Sequence, residues 1–362
     1  MPDKKTSKRN ANIELLRIIS MIMVTTLHAL GKGNLLVNVA EHPSVNAWVA
    51  WGLEALAISA VNIFMLISGY FLIDSKFKLS RFIELIAQTI FYTLGTFLVL
   101  YACGVVGKGE TDVFWLLNYL LPIHMDVYWF ITSYVVLYAL LPIIAEGVHR
   151  ITQKQLGTVI VILFIYECVF KSFLPFRMYT DDHGYSFLWY LLVFLVGSYL
   201  KLYGFKFLNT PAKGLALYFV SSFLVLAEYG AITYIIKLFG HLEELAGLAY
   251  EYNNYFVFTA ALGIFSAFVH FKEMKALPGK IVCFLSPMAL GVYLLQENQT
   301  LRYRWQSWFK LEGSLDGSLP LLIGKVLLAV ICMYILGTAV DYLRIQIFNL
   351  IKKIPNFCNK EK

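Results

Sequence analysis

Long apolar segments recur along the whole chain, and they restrict the possible fold more than any other feature of the sequence. About ten such runs are separated by short polar connections that contain glycine or proline. A helix of about 17 to 25 apolar residues crosses a hydrocarbon layer of ~30 Å, and within lipid only helices and closed barrels satisfy all their backbone groups. The sequence therefore predicts an all-α integral membrane protein with about ten transmembrane helices in one bundle.

The composition supports this interpretation. Of the 362 residues, 59% are hydrophobic and only 15% are charged, which leaves too little polar surface for a soluble globule of this size. We place a membrane domain at residues 12–346, between basic tails at residues 1–11 and 347–362, and interpret the first apolar run as an uncleaved span. The predicted spans are residues 13–30, 48–73, 82–106, 127–146, 156–173, 186–203, 214–239, 255–271, 281–301 and 319–343.

Lysine and arginine are concentrated in alternate connections. One set contains Lys4, Lys5, Lys8, Arg9, Lys76, Lys78, Arg81, Arg150, Lys154, Lys201, Lys206, Lys213, Lys272, Lys275, Lys280, Arg344 and the tail beyond Lys352, whereas the other holds only Lys32, Lys108, Arg177, Arg302, Arg304 and Lys310. Cytoplasmic loops carry the excess of basic residues, so both termini are predicted to be cytoplasmic in a multi-pass protein of the cell membrane. The net charge of +7 follows from this bias and indicates contact with anionic lipid rather than nucleic acid.

The first span contains two ionisable residues on one face. Ten residues separate Arg17 from His28, which places them about 20° apart around a helix and about 16 Å apart along it. Glu14 lies one turn before Arg17, close enough for an ion pair. Ionisable residues within spans are costly and are functional candidates by default. The alternatives are a membrane anchor for Arg17 and an ordinary polar helix end for His28.

The segment IELLRIISMIMVTTLH (13–28) resembles the opening of the acyltransferase family 3 membrane proteins, which O-acylate surface polysaccharides, lipopolysaccharide and peptidoglycan. Further segments resemble the family in the same order, namely VNIFMLISGYFL (61–72), YWFITSYVVLYALLP (128–142), WYLLVFLVGSYL (189–200) and LSPMALGVYLLQEN (285–298). Two departures are visible. The basic cluster after the second span is reduced to Lys76, Lys78 and Arg81, and Gln296 occupies a position where many members have histidine, so that no role of that histidine is transferred.

The resemblance implies an acyltransferase that moves an acyl group, most often acetyl, from cytoplasmic acyl-CoA to a hydroxyl of a surface polysaccharide or its lipid-linked precursor. A hydroxyl acceptor needs a base of near-neutral pKa, and His28 is the candidate. Arg17 is the candidate cation for donor phosphates or developing negative charge. Lys76, Lys78 and Arg81 are predicted to join Arg17 in binding acyl-CoA, which is a co-substrate and not a bound cofactor.

Further residues are predicted to bind the acceptor or to support the site: Glu14, Asn62, Ser68, Gly69, Tyr70, Trp129 and Glu297. Helix packing is the alternative for Ser68 and Gly69, and an interfacial position is the alternative for Trp129. Glu297 is a candidate acid partner of His28, and Glu54 or Asn62 is a candidate to orient it, against simple interhelical hydrogen bonding. No metal site is predicted, because the sets Asp181, Asp182, His183 and His241, Glu243, Glu244 lack a complete group of ligands.

Two other classes of protein compete with an acyltransferase. A flippase or exporter of the same glycan would also be polytopic with a few buried charges, and only consumption of the thioester separates it from an enzyme. A racemase or sensor with an acyltransferase-like membrane half is disfavoured, because we expect no soluble domain to be appended to the membrane domain.

Overall fold

The computed structural model describes residues 9–107, 109, 111–173, 182–240 and 245–353. Regular structure in these residues is entirely helical. The helices are α1 (Ala11–Lys32), α2 (Val45–Ala57), α3 (Ala60–Leu72), α4 (Leu79–Ala102), α5 (Val113–Leu120), α6 (Trp129–Arg150), α7 (Gln153–Phe164), α8 (Phe170–Phe173), α9 (Phe187–Tyr203), α10 (Pro211–Phe239), α11 (Tyr255–His270), α12 (Ala276–Leu285), α13 (Ala289–Gln296), α14 (Trp305–Trp308) and α15 (Leu319–Lys353).

The helices confirm the predicted fold class. In the described part of the chain, nine helices or helix pairs are long and apolar enough to cross a membrane, and α9 is a shorter apolar helix. Each coincides with one of the predicted spans. Large apolar side chains such as Leu98, Phe223 and Leu328 remain exposed on the outside of the bundle, as expected where lipid is the solvent. The protein is therefore a multi-pass membrane protein.

Three predicted spans are not single α-helices. The fifth consists of α7, a π-helical segment over Ile165–Val169 and α8. The second consists of α2 and α3, which are separated at Ile58 and Ser59. The ninth consists of α12, a 3₁₀ turn over Ser286–Met288 and α13, because Pro287 lacks the N–H that an uninterrupted helix would need.

The ninth span also ends earlier than predicted, at Gln296 rather than residue 301. The side chain of Asn298 accepts a hydrogen bond from the N–H of Thr300 and donates one to the carbonyl of Tyr92. These bonds stabilise a turn where the apolar pattern predicts further helix.

Helix α1 lies at the centre of the bundle and contacts α2, α3, α11, α12, α13 and α15. Its N-terminus is fixed by Asn10, whose side chain accepts from the N–H groups of Asn12 and Ile13. The Asn12 side chain then donates to the carbonyls of Phe271 and Lys272 at the end of α11. A helix surrounded in this way directs its ionisable residues into the protein rather than into lipid.

Helices α3 and α9 pack closely through two glycines. A Cβ atom on Gly197 would lie 3.2 Å from the Cα of Gly69, and a Cβ on Gly69 would lie 3.0 Å from the Cα of Phe194. The hydroxyl of Ser198 donates to the carbonyl of Gly69 across the same contact. Small residues of this kind allow two helix backbones to approach each other within a membrane.

The last helix is attached to α4 through the buried carboxylate of Asp341, which also forms an ion pair within α15. Arg344 donates to both carboxylate oxygens of Asp341 at 2.8 and 2.9 Å, and Asp341 is fully buried. One of its oxygens also accepts from the Tyr92 hydroxyl and the Gln88 amide of α4. α15 continues to Lys353, past residue 346, where we place the end of the membrane domain; the domain limits themselves stay a prediction.

Candidate active site

A cavity of about 1190 Å³ extends through the bundle along α1. Its wall consists of one face of α1, on which the lining residues recur every three or four positions, together with parts of α2, α3, α4, α6 and α13. The α1 residues on this wall are Glu14, Arg17, Met21, Val24, Leu27, His28, Gly31 and Lys32. We call the part of the cavity near Arg17 the Arg17 end and the part near Glu297 the Glu297 end.

The Arg17 end is rich in basic side chains. The guanidinium of Arg17 lies 3.3 Å from the carboxylate of Glu14, as the sequence predicts, and 5.9 Å from the centre of the Phe71 ring. Glu14 also accepts a short hydrogen bond from the Ser286 hydroxyl in the turn between α12 and α13. Other cations on the wall of the cavity at this end are Arg9, Arg81, Lys201 and Arg344.

His28 lies toward the Glu297 end and is paired with that carboxylate. Its Nε2 atom is 3.4 Å from Oε2 of Glu297, and its Nδ1 atom is buried with no hydrogen-bond partner among the described residues. Glu297 also forms ion pairs with Lys32 and with Arg302, the latter at 3.7 Å. The two cations balance the buried negative charge, which reduces the cost of placing a carboxylate beside the imidazole.

Aromatic rings form part of the cavity wall at the Glu297 end. The ring centres of Trp129 and Tyr185 are 4.5 Å apart, and Tyr252 lies 4.9 Å from Tyr185. The Trp129 and Tyr252 rings are nearly parallel at 5.7 Å. Tyr293 of α13 lies 6.4 Å from the imidazole of His28. This end of the cavity therefore combines aromatic faces with polar groups.

Most of the predicted site residues lie on this cavity. Its wall includes Glu14, Arg17, His28, Ser68, Tyr70, Arg81, Trp129 and Glu297, and also Tyr134 and Tyr138. The structure thus brings together the predicted donor and acceptor groups, although the roles given to them stay predictions.

Four predicted residues are not on the cavity wall. Lys76 and Lys78 are exposed in the loop before α4, and the backbone N–H of Lys78 donates to the Tyr138 hydroxyl. Gly69 faces α9, in agreement with the packing alternative. The Asn62 amide donates to the carbonyl of Tyr252 and accepts from the Trp189 indole, so that it forms interhelical hydrogen bonds instead of orienting His28.

Several residues at the site were not selected from the sequence. Lys32 is four residues after His28 and therefore on the same face of α1, a spacing that could have identified it. Arg302, Ser286 and Tyr293 are distant from α1 in the sequence, and no spacing within one helix indicates their position. From the sequence alone, Lys32 and Arg302 are recognised only as members of the set of connections that contains fewer basic residues.

The two groups of side chains considered as metal ligands lie only partly in the part of the chain that the structure describes. His183 Nδ1 is 2.6 Å from a Glu251 oxygen, and Lys171 pairs with the other oxygen of Glu251 at 3.2 Å. No group of three or more histidine, cysteine or acidic side chains in the described ranges could hold a metal ion. Asp181, His241, Glu243 and Glu244 lie outside the described residues.

An arginine and a carboxylate-paired histidine thus share one internal cavity of a membrane bundle, and these are side chains that can serve a group-transfer reaction. Residues 10–339 match the acyltransferase domain of the acyltransferase 3 family, and the chain belongs to that family. It is a membrane acyltransferase, which requires an acyl donor and an acceptor. No curated protein and no solved structure matches the chain.

Proposed function

We propose that this protein is an O-acyltransferase that moves an acyl group, most often acetyl, from cytoplasmic acyl-CoA to a hydroxyl of a surface polysaccharide or its lipid-linked precursor. The observation that carries the proposal is one cavity that is walled by Arg17 toward one end and by His28 with Glu297 toward the other. A donor and an acceptor that enter from opposite sides of the membrane can meet in such a cavity.

The Arg17 end suits the donor. The basic loops would place this end at the cytoplasm, where acyl-CoA is available. Arg9, Arg17, Arg81, Lys201 and Arg344 offer guanidinium and ammonium groups to the phosphates of CoA. His28 lies about 16 Å further along α1, a distance that the thin pantetheine arm is suited to cover.

The chemistry requires one base and no other reagent. The acceptor oxygen attacks the thioester carbonyl, a C–O bond forms, the C–S bond breaks, and CoA leaves as the thiolate. His28 takes the proton of the hydroxyl and returns it to the thiolate sulfur. Glu297 faces Nε2 and so favours the tautomer protonated there, which leaves the lone pair on Nδ1 for the proton transfer.

Membership of the acyltransferase 3 family argues against the alternative of a flippase or exporter without transfer activity. The two functions predict different behaviour of the purified protein. With acetyl-CoA and de-O-acetylated surface polysaccharide from the host, an acyltransferase releases free CoA thiol and labels the polysaccharide from radiolabelled acetyl-CoA. Acceptor-dependent thiol release must be present; its absence would contradict the proposal.

The same proposal is tested in the host by mass spectrometry of its surface polysaccharides. Deletion of the gene should remove an O-acyl group from one sugar, and the gene supplied again should restore that group. The mass difference identifies the acyl group, and fragmentation identifies the hydroxyl. Identical O-acylation with and without the gene would contradict a polysaccharide acceptor.

A further inference from the structure

The Glu297 end of the cavity contains an unusual carboxylate. Glu54, on α2, lines the cavity and is only 8% exposed. Its Oε2 atom is buried and accepts no hydrogen bond from any residue that the structure describes. A polar group buried without a partner destabilises a protein, and a carboxylate inside a membrane bundle adds to that cost. A ligand that donates a hydrogen bond would remove the penalty.

Two other polar groups on the same wall lack partners. The hydroxyl of Tyr293 and Nδ1 of His28 are both buried without a hydrogen bond within the described ranges. Native proteins leave few buried polar groups unpaired. All three line one cavity and are available for hydrogen bonds to a ligand with several hydroxyl groups.

The aromatic side chains define the shape of this ligand. Trp129, Tyr185 and Tyr252 cluster with ring centres 4.5 to 5.7 Å apart, and all three line the cavity with Glu54. Aromatic rings offer a flat apolar face, which matches the C–H face of a pyranose ring, while the hydroxyl groups at the edge of the sugar remain free for hydrogen bonds. An acyl chain would cover the rings but would leave Glu54 and Tyr293 unpaired.

We infer that Glu54 and the cluster of Trp129, Tyr185 and Tyr252 form a pyranose-binding subsite for the acceptor. The sugar ring packs on the aromatic cluster, Glu54 accepts a hydrogen bond from one hydroxyl, and another hydroxyl faces His28. This inference rests on the proposed function, because it names the part of the site that holds the sugar during transfer.

The test compares Glu54→Gln with wild type in the transfer assay with radiolabelled acetyl-CoA and the host's de-O-acetylated polysaccharide. The amide keeps the size of the side chain but replaces one carboxyl oxygen with an NH2 group, which cannot accept a hydrogen bond. We expect the KM for polysaccharide to rise about 10- to 100-fold, while the KM for acetyl-CoA stays within about twofold of wild type. An unchanged KM for acetyl-CoA shows that the variant is folded.

Two controls separate a sugar contact from a general effect. Glu228→Gln removes another carboxylate within an apolar helix, one that accepts from Asn254 and does not line the cavity; it should behave like wild type. Trp129→Phe should retain most of the affinity for polysaccharide and Trp129→Leu should lose it, because only the former keeps an aromatic face.

The outcomes distinguish this inference from the proposed function. Transfer by wild type with an unchanged polysaccharide KM in Glu54→Gln would overturn the subsite alone. Equal polysaccharide KM values for Trp129→Phe and Trp129→Leu would also overturn it. Absence of transfer by the wild-type protein would overturn the proposed function and the subsite with it.

Discussion

At the scale of single residues, helical periodicity predicts which side chains of α1 lie on the same face of the helix. It does not predict which residues of other segments they contact. Glu14, Arg17 and His28 could be selected from the sequence because their spacing places them on one stripe. Glu297 was a candidate from its position near the end of a span, and the structure places it 3.4 Å from His28. The contacts of Lys32 with Glu297 and of Ser286 with Glu14 join distant segments, so only the fold reveals them.

The imidazole of His28 is the group on which the chemistry depends. We expect His28→Ala to reduce the rate of transfer by about 10²- to 10⁴-fold, the usual effect of losing a general base, with normal amounts of protein in the membrane. His270→Ala is the matched control, because its ring hydrogen-bonds to the carbonyl of Ser266 in its own helix, packs against the ring of Phe205 and does not line the cavity. Near-wild-type transfer by His28→Ala would show that the mechanism is wrong.

Arg17 can be tested for donor binding with two donors of different length. Lysine keeps the charge of Arg17 but not the planar fork that grips a phosphate. If Arg17 binds phosphate, Arg17→Lys should raise the KM for acetyl-CoA by about 10-fold and leave that for S-acetylpantetheine, which lacks the nucleotide and its phosphates, unchanged. If it stabilises the oxyanion, kcat should fall with both donors.

The control for this variant is Arg150→Lys. Arg150 also pairs with a glutamate one turn away, Glu146, but it is exposed at the end of α6. It should show wild-type kinetics with both donors. Wild-type kinetics in Arg17→Lys as well would assign Arg17 to membrane anchoring.

At the scale of helices, apolar length predicts where a span lies better than whether it is continuous. Ten predicted spans correspond to observed helices, because lipid requires about 20 apolar residues for each crossing. The break between α2 and α3, and the end of α13 at Gln296, depend instead on local turns and on the side chain of Asn298. These features do not change the hydropathy of the segment, so an apolar pattern cannot reveal them.

The contact between α3 and α9 makes a test of packing possible. We expect Gly69→Ala to destabilise the protein by about 1 to 3 kcal/mol, since the new methyl group meets the α9 backbone near Phe194. Gly95→Ala on α4 has no heavy atom within 4 Å of the new Cβ and should be neutral or slightly stabilising. Thermal unfolding in detergent measures both variants, and equal melting temperatures would contradict this close packing.

At the scale of the whole molecule, the distribution of charge predicts orientation, and the fold makes that prediction testable. We expect cysteines placed at Lys76 and Lys275 to face the cytoplasm and cysteines placed at His183 and Glu312 to face outward. In a background that lacks the five native cysteines, a membrane-impermeant maleimide should label only the second pair in intact cells. Labelling of both Lys275→Cys and His183→Cys would place the two positions on the same side of the membrane. The number of membrane crossings between them would then be even, which contradicts the predicted topology.

Asp341 and Arg344, which form a buried ion pair, lie beyond the end of the family match. Residues that stabilise the bundle therefore extend further along the chain than the family match does. The family match ends at residue 339, yet the next turn of α15 supplies the only carboxylate that binds the Tyr92 hydroxyl and the Gln88 amide among the described residues. A chain trimmed at the family limit would bury these two donors without an acceptor, at a cost of about 1 to 3 kcal/mol each. Truncations and fusions that preserve the bundle therefore belong beyond Lys353, where the described part of α15 ends.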